Sequence, residues 1–262
     1  MEPDPGLTRR YEFASALIED AGRLALDYFR RVGSLTIHSK GAQDMASEAD
    51  LAVEIMIRDR LRDQFPEDSF LGEESGLDRA AGSRGIWVVD PIDGTQPFVC
   101  GLPNWCISIA YVHDDELTFG LVHNPGASEL FAGARWRPAT RNNEEIHPHG
   151  GTSVADGLTY LGASPRVGPE QVVPVLDRLM RAGGMFVRGG SGALGLCDVA
   201  CGRLVGYVEP HINSWDCLGA IAVLQAAGCT VNDYLTGEAL LNGNRIVAGP
   251  PVVFDQLDAI LG

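Results

Sequence analysis

Apolar residues at Phe13, Leu17, Ala21, Leu24 and Phe29 stand about one helical turn apart and predict a helix over residues 7–32, which Gly33 closes. A short extended segment at 35–38 precedes a polar loop opened by Lys40 and Gly41. A second helix, over 47–65, presents Leu51, Ile55, Leu61 and Phe65; Ser47 with Asp50 three residues on has the form of a capping arrangement, and Pro66 ends the helix. The period then changes. Residues 69–71 form a short strand running into Gly72-Glu73-Glu74-Ser75, 77–84 a loop, 86–89 a fully apolar strand, and 96–103 an irregular segment. Segments 105–112 and 117–123 flank the turn Asp114-Asp115, and 129–134 follows Asn124-Pro125-Gly126, so the pattern is an antiparallel meander.

Residues 135–151 are polar, and a boundary is expected here between residues 1–145, an α+β half with an antiparallel sheet, and residues 146–262, an α/β half. His147-Pro148-His149 in this stretch has no third ligand nearby and reads as a solvated loop. Beyond it, strands at 158–162, 185–188, 205–208 and 229–233 alternate with helices at 170–182, 193–200 and 215–227, the rhythm of a layered α/β arrangement.

Composition narrows the class. A chain of 262 residues with 45% apolar and 21% charged residues holds a sizeable core in one large domain or two fused layers. No apolar run reaches the length of a membrane span, and the first ten residues lack a signal-peptide core, so a cytoplasmic protein without membrane contact is expected. The net charge of −15 repels nucleic-acid backbones and excludes nucleic acid as a partner. It also repels a phosphorylated small molecule unless local cations invert the field. Six cysteines without a Cys-x-x-Cys pair read as reduced core residues.

The candidate chemistry centres on Trp87-Val88-Val89-Asp90-Pro91-Ile92-Asp93-Gly94-Thr95. Two acids flank a proline that stiffens the backbone, at the end of a buried strand, and oxygen donors so placed suit hard cations. Gly94 and Thr95 add a tight turn, a hydroxyl and backbone donors for a phosphate. Alone, this is equally an acidic surface turn. Asp50 and Asp216, each in a helical first turn, are favoured there by the helix dipole and by capping. The run Gly189-Gly190-Ser191-Gly192 sits between strand and helix, where an anion can bind or a tight turn can pack; it lacks the lysine of a Walker loop.

In order, the Gly-Glu-Glu-Ser stretch at 72–75, the Trp87–Thr95 signature and Trp215-Asp216 with its small-residue helix resemble the inositol monophosphatase family, from the first helix to about Cys229. The family comprises magnesium-dependent, lithium-sensitive phosphatases. The resemblance implies an αβαβα layered sandwich of the inositol monophosphatase and fructose-1,6-bisphosphatase type, and a homodimer. It implies two or three Mg²⁺ ions: Glu73, Asp90 and the Ile92 carbonyl would hold the first, and Asp90, Asp93 and Asp216 the second. Asp50, Thr95 and Glu73 would orient the attacking water, Glu74 would be a neighbour, and Gly94 and Thr95 would bind phosphate. Ser164, Gly190, Ser191, Gly192, Ala193, Glu209 and Asp216 would line the organic part of the substrate.

The expected substrate is a small phosphorylated metabolite, a polyol or sugar phosphate, with inositol monophosphate as the named case. Histidinol phosphate, fructose 1,6-bisphosphate, adenosine 3′,5′-bisphosphate or a pathway-specific metabolite are the alternatives within the fold. A metal-binding regulator without turnover is the alternative outside enzymes, against which the full set of acids speaks. Gln96-Pro97 after Asp-Gly-Thr, Asn213-Ser214 before Trp215 and Ala49 before Asp50 depart from common members and bear on the substrate pocket.

Overall fold

The computed structural model describes residues 4–35, 37–41 and 44–262. The chain opens with α1 (Pro5–Phe29), the hairpin β1 (Ile37–Gly41) and β2 (Asp44–Ser47), and α2 (Glu48–Gln64). The Lys40 side chain and residues 42–43 lie outside the described part. Next come β3 (Ser69–Gly72), β4 (Gly76–Asp78), β5 (Gly85–Asp93), α3 (Thr95–Val99), β6 (Cys106–His113), β7 (Glu116–Asn124), β8 (Glu129–Ala134), β9 (Arg137–Arg141) and β10 (Glu144–Glu145). The second half runs β11 (Leu158–Leu161), α4 (Pro169–Arg181), β12 (Met185–Val187), α5 (Gly192–Ala200), β13 (Gly206–Ile212) and α6 (Ser214–Ala226). It ends with β14 (Thr230–Val231), α7 (Ala239–Asn242), β15 (Asn244–Gly249) and α8 (Pro251–Leu261).

Strands β3 to β10 form one sheet in the order β10-β9-β8-β7-β6-β5-β3-β4, and β11 to β15 a second in the order β12-β11-β13-β15-β14. The first is antiparallel except for the β3–β5 pair; in the second, β11 is parallel to both neighbours and the remaining pairs are antiparallel. Alternation along β5 explains its unbroken apolar sequence. Trp87 and Val89 face α1 and α2, packing with Leu17, Ile18, Val53 and Ile57, while Val88 faces α5 and α6 with Leu196 and Leu218. Across that central helical layer, Tyr207 and Ile246 of the second sheet join the same core. Val208 and Val247 point the other way, to Leu179 of α4 and Leu257 of α8. Five layers result, in the order αβαβα.

Several local expectations change. Residues 96–103 are not irregular throughout, because α3 begins at Thr95 and Pro97 sits in its first turn, where the missing N–H has no intrahelical role. The supposed loops at 77–84 and 135–151 contain β4 and β10, the two edges of the first sheet, and β9 next to β10, whose exposed residues hide the alternation. The strand at 229–233 shrinks to β14, and β15 and α8 complete the second sheet and its cover. Cys100 is exposed, in contrast to buried Cys106, Cys197, Cys217 and Cys229. Among the described residues no helix is long and apolar enough to cross a membrane.

Candidate active site

Parallel pairing of β3 with β5 brings both strands out at the same edge: Gly72 lies opposite Val89, so Glu73 and Asp90 leave the sheet side by side. The β5–β6 ladder shifts register between Asp90 and Asp93, where Pro91 has no N–H to give it. The Ile92 N–H donates instead to Asp90 Oδ1 at 2.9 Å. Gly94 turns the chain in the left-handed region, at φ 93°, and α3 follows.

The first turn of α6 delivers Asp216 to the same place. Carboxylate oxygens of Glu73, Asp90 and Asp216 lie within 4.8 Å of one another, the only such grouping of metal-ligating side chains among the described residues. Burial pushes the Asp90 carboxyl far up, helped by Glu73, Asp93 and Asp216, and Asp90 shares a hydrogen bond with Asp216. Asp216 is itself raised by burial and eased by that hydrogen bond and by Arg166. Three acids crowded together, with Asp90 fully buried and the other two half-buried, hold a proton unless a cation replaces it. All donors are oxygens, so the site fits a hard divalent cation. His147 and His149 take no part; the His149 ring accepts from the Gly151 N–H at 2.9 Å.

Asp50 and Thr95 meet beside this cluster. The Thr95 hydroxyl is 3.1 Å from Asp50 Oδ1 and 3.1 Å from the Ile92 carbonyl. The other Asp50 oxygen receives the Ser47 N–H at 2.8 Å and the Ser47 hydroxyl at 2.6 Å, closing the capping box of α2. Asp216 does likewise for α6, taking the Asn213 N–H and side-chain amide at 3.3 and 3.1 Å. Capping therefore does not exclude a site role for these two acids: the cap occupies one oxygen of each, and the other Asp50 oxygen meets Thr95.

Asp93 stands apart from the three-acid cluster. Its carboxylate receives the Ser191 hydroxyl at 2.5 Å, the Ala193 N–H at 2.7 Å and the Gly192 N–H at 3.3 Å, with the Cys106 thiol at 3.7 Å. The helix N-terminus behind the glycine run thus already holds an anion, supplied by the chain itself. Burial and Asp216 lift Asp93 to about 7 even against these donors. Gly189 and Gly190 direct their N–H groups to the Tyr160 hydroxyl at 3.0 and 2.8 Å. Within the run 190–193, expected to line the substrate with Ser164, Glu209 and Asp216, Gly190 and Gly192 face the cavity, whereas Ser191 and Ala193 hold Asp93.

That cavity, of about 410 Å³, contains Glu73, Asp93, Gly94, Thr95 and Asp216 together with Ser164 and Glu209. Glu209 is buried and lifted to about 8 by desolvation, although the Tyr207 hydroxyl donates to it at 2.5 Å. Gln96 and Pro97 form part of the wall, and Pro97 occupies the space that a side chain on Gly190 would fill. Arg166 and Arg188 on the rim bring positive charge toward Asp216 and Glu209. Sequence reasoning passed over Tyr160, Tyr207, Cys106 and these arginines, none of which stands in a chemically suggestive pattern.

The chain matches the family model described as the inositol monophosphatase family over residues 7–259. It is 30% identical over 240 residues to the Nus factor SuhB of Haemophilus influenzae, covering 90% of each chain. It is also 30% identical over 257 residues to the histidinol-phosphatase of Chlorobaculum parvum, covering 98% of each. A solved structure of inositol monophosphatase from Anabaena (Nostoc) sp. PCC 7120 superposes with a TM-score of 0.83 at 29% identity, covering 98% of this chain and 96% of that one. With the acids, the five layers and the match all in agreement, the chain belongs to the inositol monophosphatase family and is a phosphatase, a hydrolase of small phosphorylated substrates.

Proposed function

We propose that the chain is a Mg²⁺-dependent phosphomonoesterase acting on a small polyol or sugar phosphate, with inositol monophosphate as the substrate. The observation that carries this reading is the meeting of Glu73, Asp90 and Asp216 beside a cavity that also holds Glu209. Glu73, Asp90 and the Ile92 carbonyl would hold one ion, and Asp90, Asp93 and Asp216 a second, within a set of two or three. Bound there, the metal supplies charge neutralisation on the phosphoryl oxygens and a lowered water pKa.

The chain's own groups do the rest. Asp50 accepts the Thr95 proton, which leaves the Thr95 oxygen to accept from water and, with Glu73, to orient it toward phosphorus. Gly94 and Thr95 present backbone donors to the phosphate. Glu209 holds one oxygen against Tyr207 and offers the other to substrate hydroxyls, next to Ser164, Gly190 and Gly192. Asp216 lines the same cavity and contacts the substrate side as well as the ion.

The test is turnover of inositol 1-phosphate, histidinol phosphate, fructose 1,6-bisphosphate and adenosine 3′,5′-bisphosphate with Mg²⁺, with EDTA and with added Li⁺. Inositol phosphate should lead in kcat/KM by about tenfold or more, since a buried acid left without its hydroxyl partner discriminates strongly. Activity should vanish in EDTA and fall with Li⁺; full activity in EDTA overturns the metal chemistry. Histidinol phosphate is the second reading, favoured by the end-to-end match with the Chlorobaculum relative and by the affinity of a buried carboxylate such as Glu209 for an ammonium.

The same reading carries with it a cytoplasmic homodimer. Met185 and Phe186 are 59% and 41% exposed on β12, the outer strand of the second sheet, an apolar edge suited to a second copy. Elution in size-exclusion chromatography at twice 28.0 kDa is the expected result, and a monomer at micromolar concentration removes this part.

A further inference from the structure

We propose that Glu54 is a positioning residue that fixes the metal ligand Glu73; the inference rests on the metal-site reading above. Glu54 lies on α2 one turn after Asp50 and, like it, is buried, with 2% of its surface exposed. It is not one of the three converging acids. Its two oxygens are engaged elsewhere: Oε2 accepts the Glu74 N–H and Oε1 the Ser75 N–H, each at 2.8 Å. These are the two amides directly after Glu73. The Glu73 N–H itself donates to the Val89 carbonyl at 3.2 Å, so β5 grips the turn at one end and α2 grips it just beyond.

The neighbouring residue is adapted to this contact. A Cβ on Gly72 would collide with the Glu54 carboxylate, so only glycine there lets helix and turn approach this closely. A carboxylate out of water is costly unless hydrogen-bonded, and two charge-assisted bonds to a tight turn offset that cost while fixing the turn's geometry. One helix therefore serves the site twice: Asp50 acts on Thr95, and Glu54 sets where the Glu73 carboxylate emerges. Glutamine has the same shape but only one acceptor. Its NH₂ would face a backbone N–H, donor against donor, and the turn would have to shift.

The test is calorimetric titration of Mg²⁺ into the full-length wild type, Glu54→Gln, Glu73→Gln and the double variant, with KM at saturating Mg²⁺ as a second readout. Loss of a group that orients a metal ligand weakens metal binding by about 10- to 100-fold. Glu54→Gln should show that loss with KM at saturating Mg²⁺ changed less than about twofold, because Glu54 does not line the cavity and the groups placed against the organic part of the substrate, Ser164 and Glu209, lie on other elements. In the double variant the Glu54 change should add nothing to the loss from Glu73→Gln, because both act through one ligand. Glu54→Asp, which keeps the charge but falls short of both amides, should lie between wild type and Gln, and it replaces Gln if that variant fails to fold. Wild-type Mg²⁺ affinity in Glu54→Gln, or a full additive loss in the double variant, overturns the inference while leaving the proposed function intact. A wild type that binds no Mg²⁺ overturns both.

Discussion

Asp90→Asn should yield a protein that is at least as stable as the wild type without metal and almost inactive with it. The Asp90 carboxyl is buried among Glu73, Asp93 and Asp216, and shares a proton with Asp216. Asparagine keeps the oxygen that receives the Ile92 N–H, and its NH₂ can donate to Asp216 where the shared proton lay. Asparagine is neutral without having to take up a proton on folding, so in EDTA at neutral pH the melting temperature should hold or rise by a few degrees, about 2–4 °C per kcal/mol gained. The same change removes the acid proposed to touch both ions. Mg²⁺-dependent kcat/KM should fall by about 10³-fold or more, the scale at which a principal electrostatic group of a reaction centre is lost. The opposite signs make the test sharp, because a site that favours function over stability gains stability when it is disarmed. Activity within tenfold of wild type, or a loss matched by an unfolded protein, contradicts the assignment.

The first half of the fold was legible because its signals are local. The periodic face of α1, the capping form at Ser47–Asp50 and the turn-separated alternation of β6, β7 and β8 are written in short windows. The expected face of α2 is only half right: Leu61 and Phe65 are buried, but Leu51 and Ile55 are 43% and 48% exposed and Val53 and Ile57 face the core instead. Strand β9, next to the edge strand β10, was not legible, since its residues are mostly solvated and the alternation is diluted to a single buried position. Pro97 misled for a related reason: proline argues against a helix except in the first turn, and nothing local says that a first turn begins at Thr95.

At the site, the acids were legible through the order of their motifs, and the partition of their work was not. Ser191 and Ala193 looked like substrate contacts, yet they hold Asp93, a residue about a hundred positions away that only the layered fold brings to the α5 N-terminus. Glu54 went unnoticed because an acid on a helix is ordinarily a solvated one. The available hint was its place among buried Val53, Ile57 and Leu61, one turn from Asp50. Tyr160 and Tyr207 were invisible for the same reason, as aromatic strand residues whose hydroxyls acquire a role only where Gly189, Gly190 and Glu209 come to meet them.

The second large effect expected is on pH. Asp93 stands at about 7 and Glu209 at about 8, both raised from ordinary carboxyl values of 3.8 and 4.5 by burial. A carboxyl raised on folding binds its proton more tightly in the native state. Its contribution is therefore complete below the unfolded value and is lost as pH rises through the folded one. Without metal, stability should decline between pH 6.5 and 8.5. His123, lowered by burial, works in the opposite direction, but below its ordinary value of 6.5 and so outside this window. Melting in EDTA should fall by about 5–10 °C across these two pH units. Mg²⁺ reverses the slope, since a cation at Asp90, Asp93 and Asp216 replaces the protons that burial keeps there, and protons are released as it binds. Affinity should accordingly be about tenfold weaker at pH 6.5 than at 8.5, and the rise in melting temperature on adding Mg²⁺ should be largest at the alkaline end. Melting curves with EDTA and with Mg²⁺ at both pH values decide the matter: a metal-free protein that gains stability from pH 6.5 to 8.5, or a Mg²⁺ effect indifferent to pH, means that these acids are not held protonated in the fold.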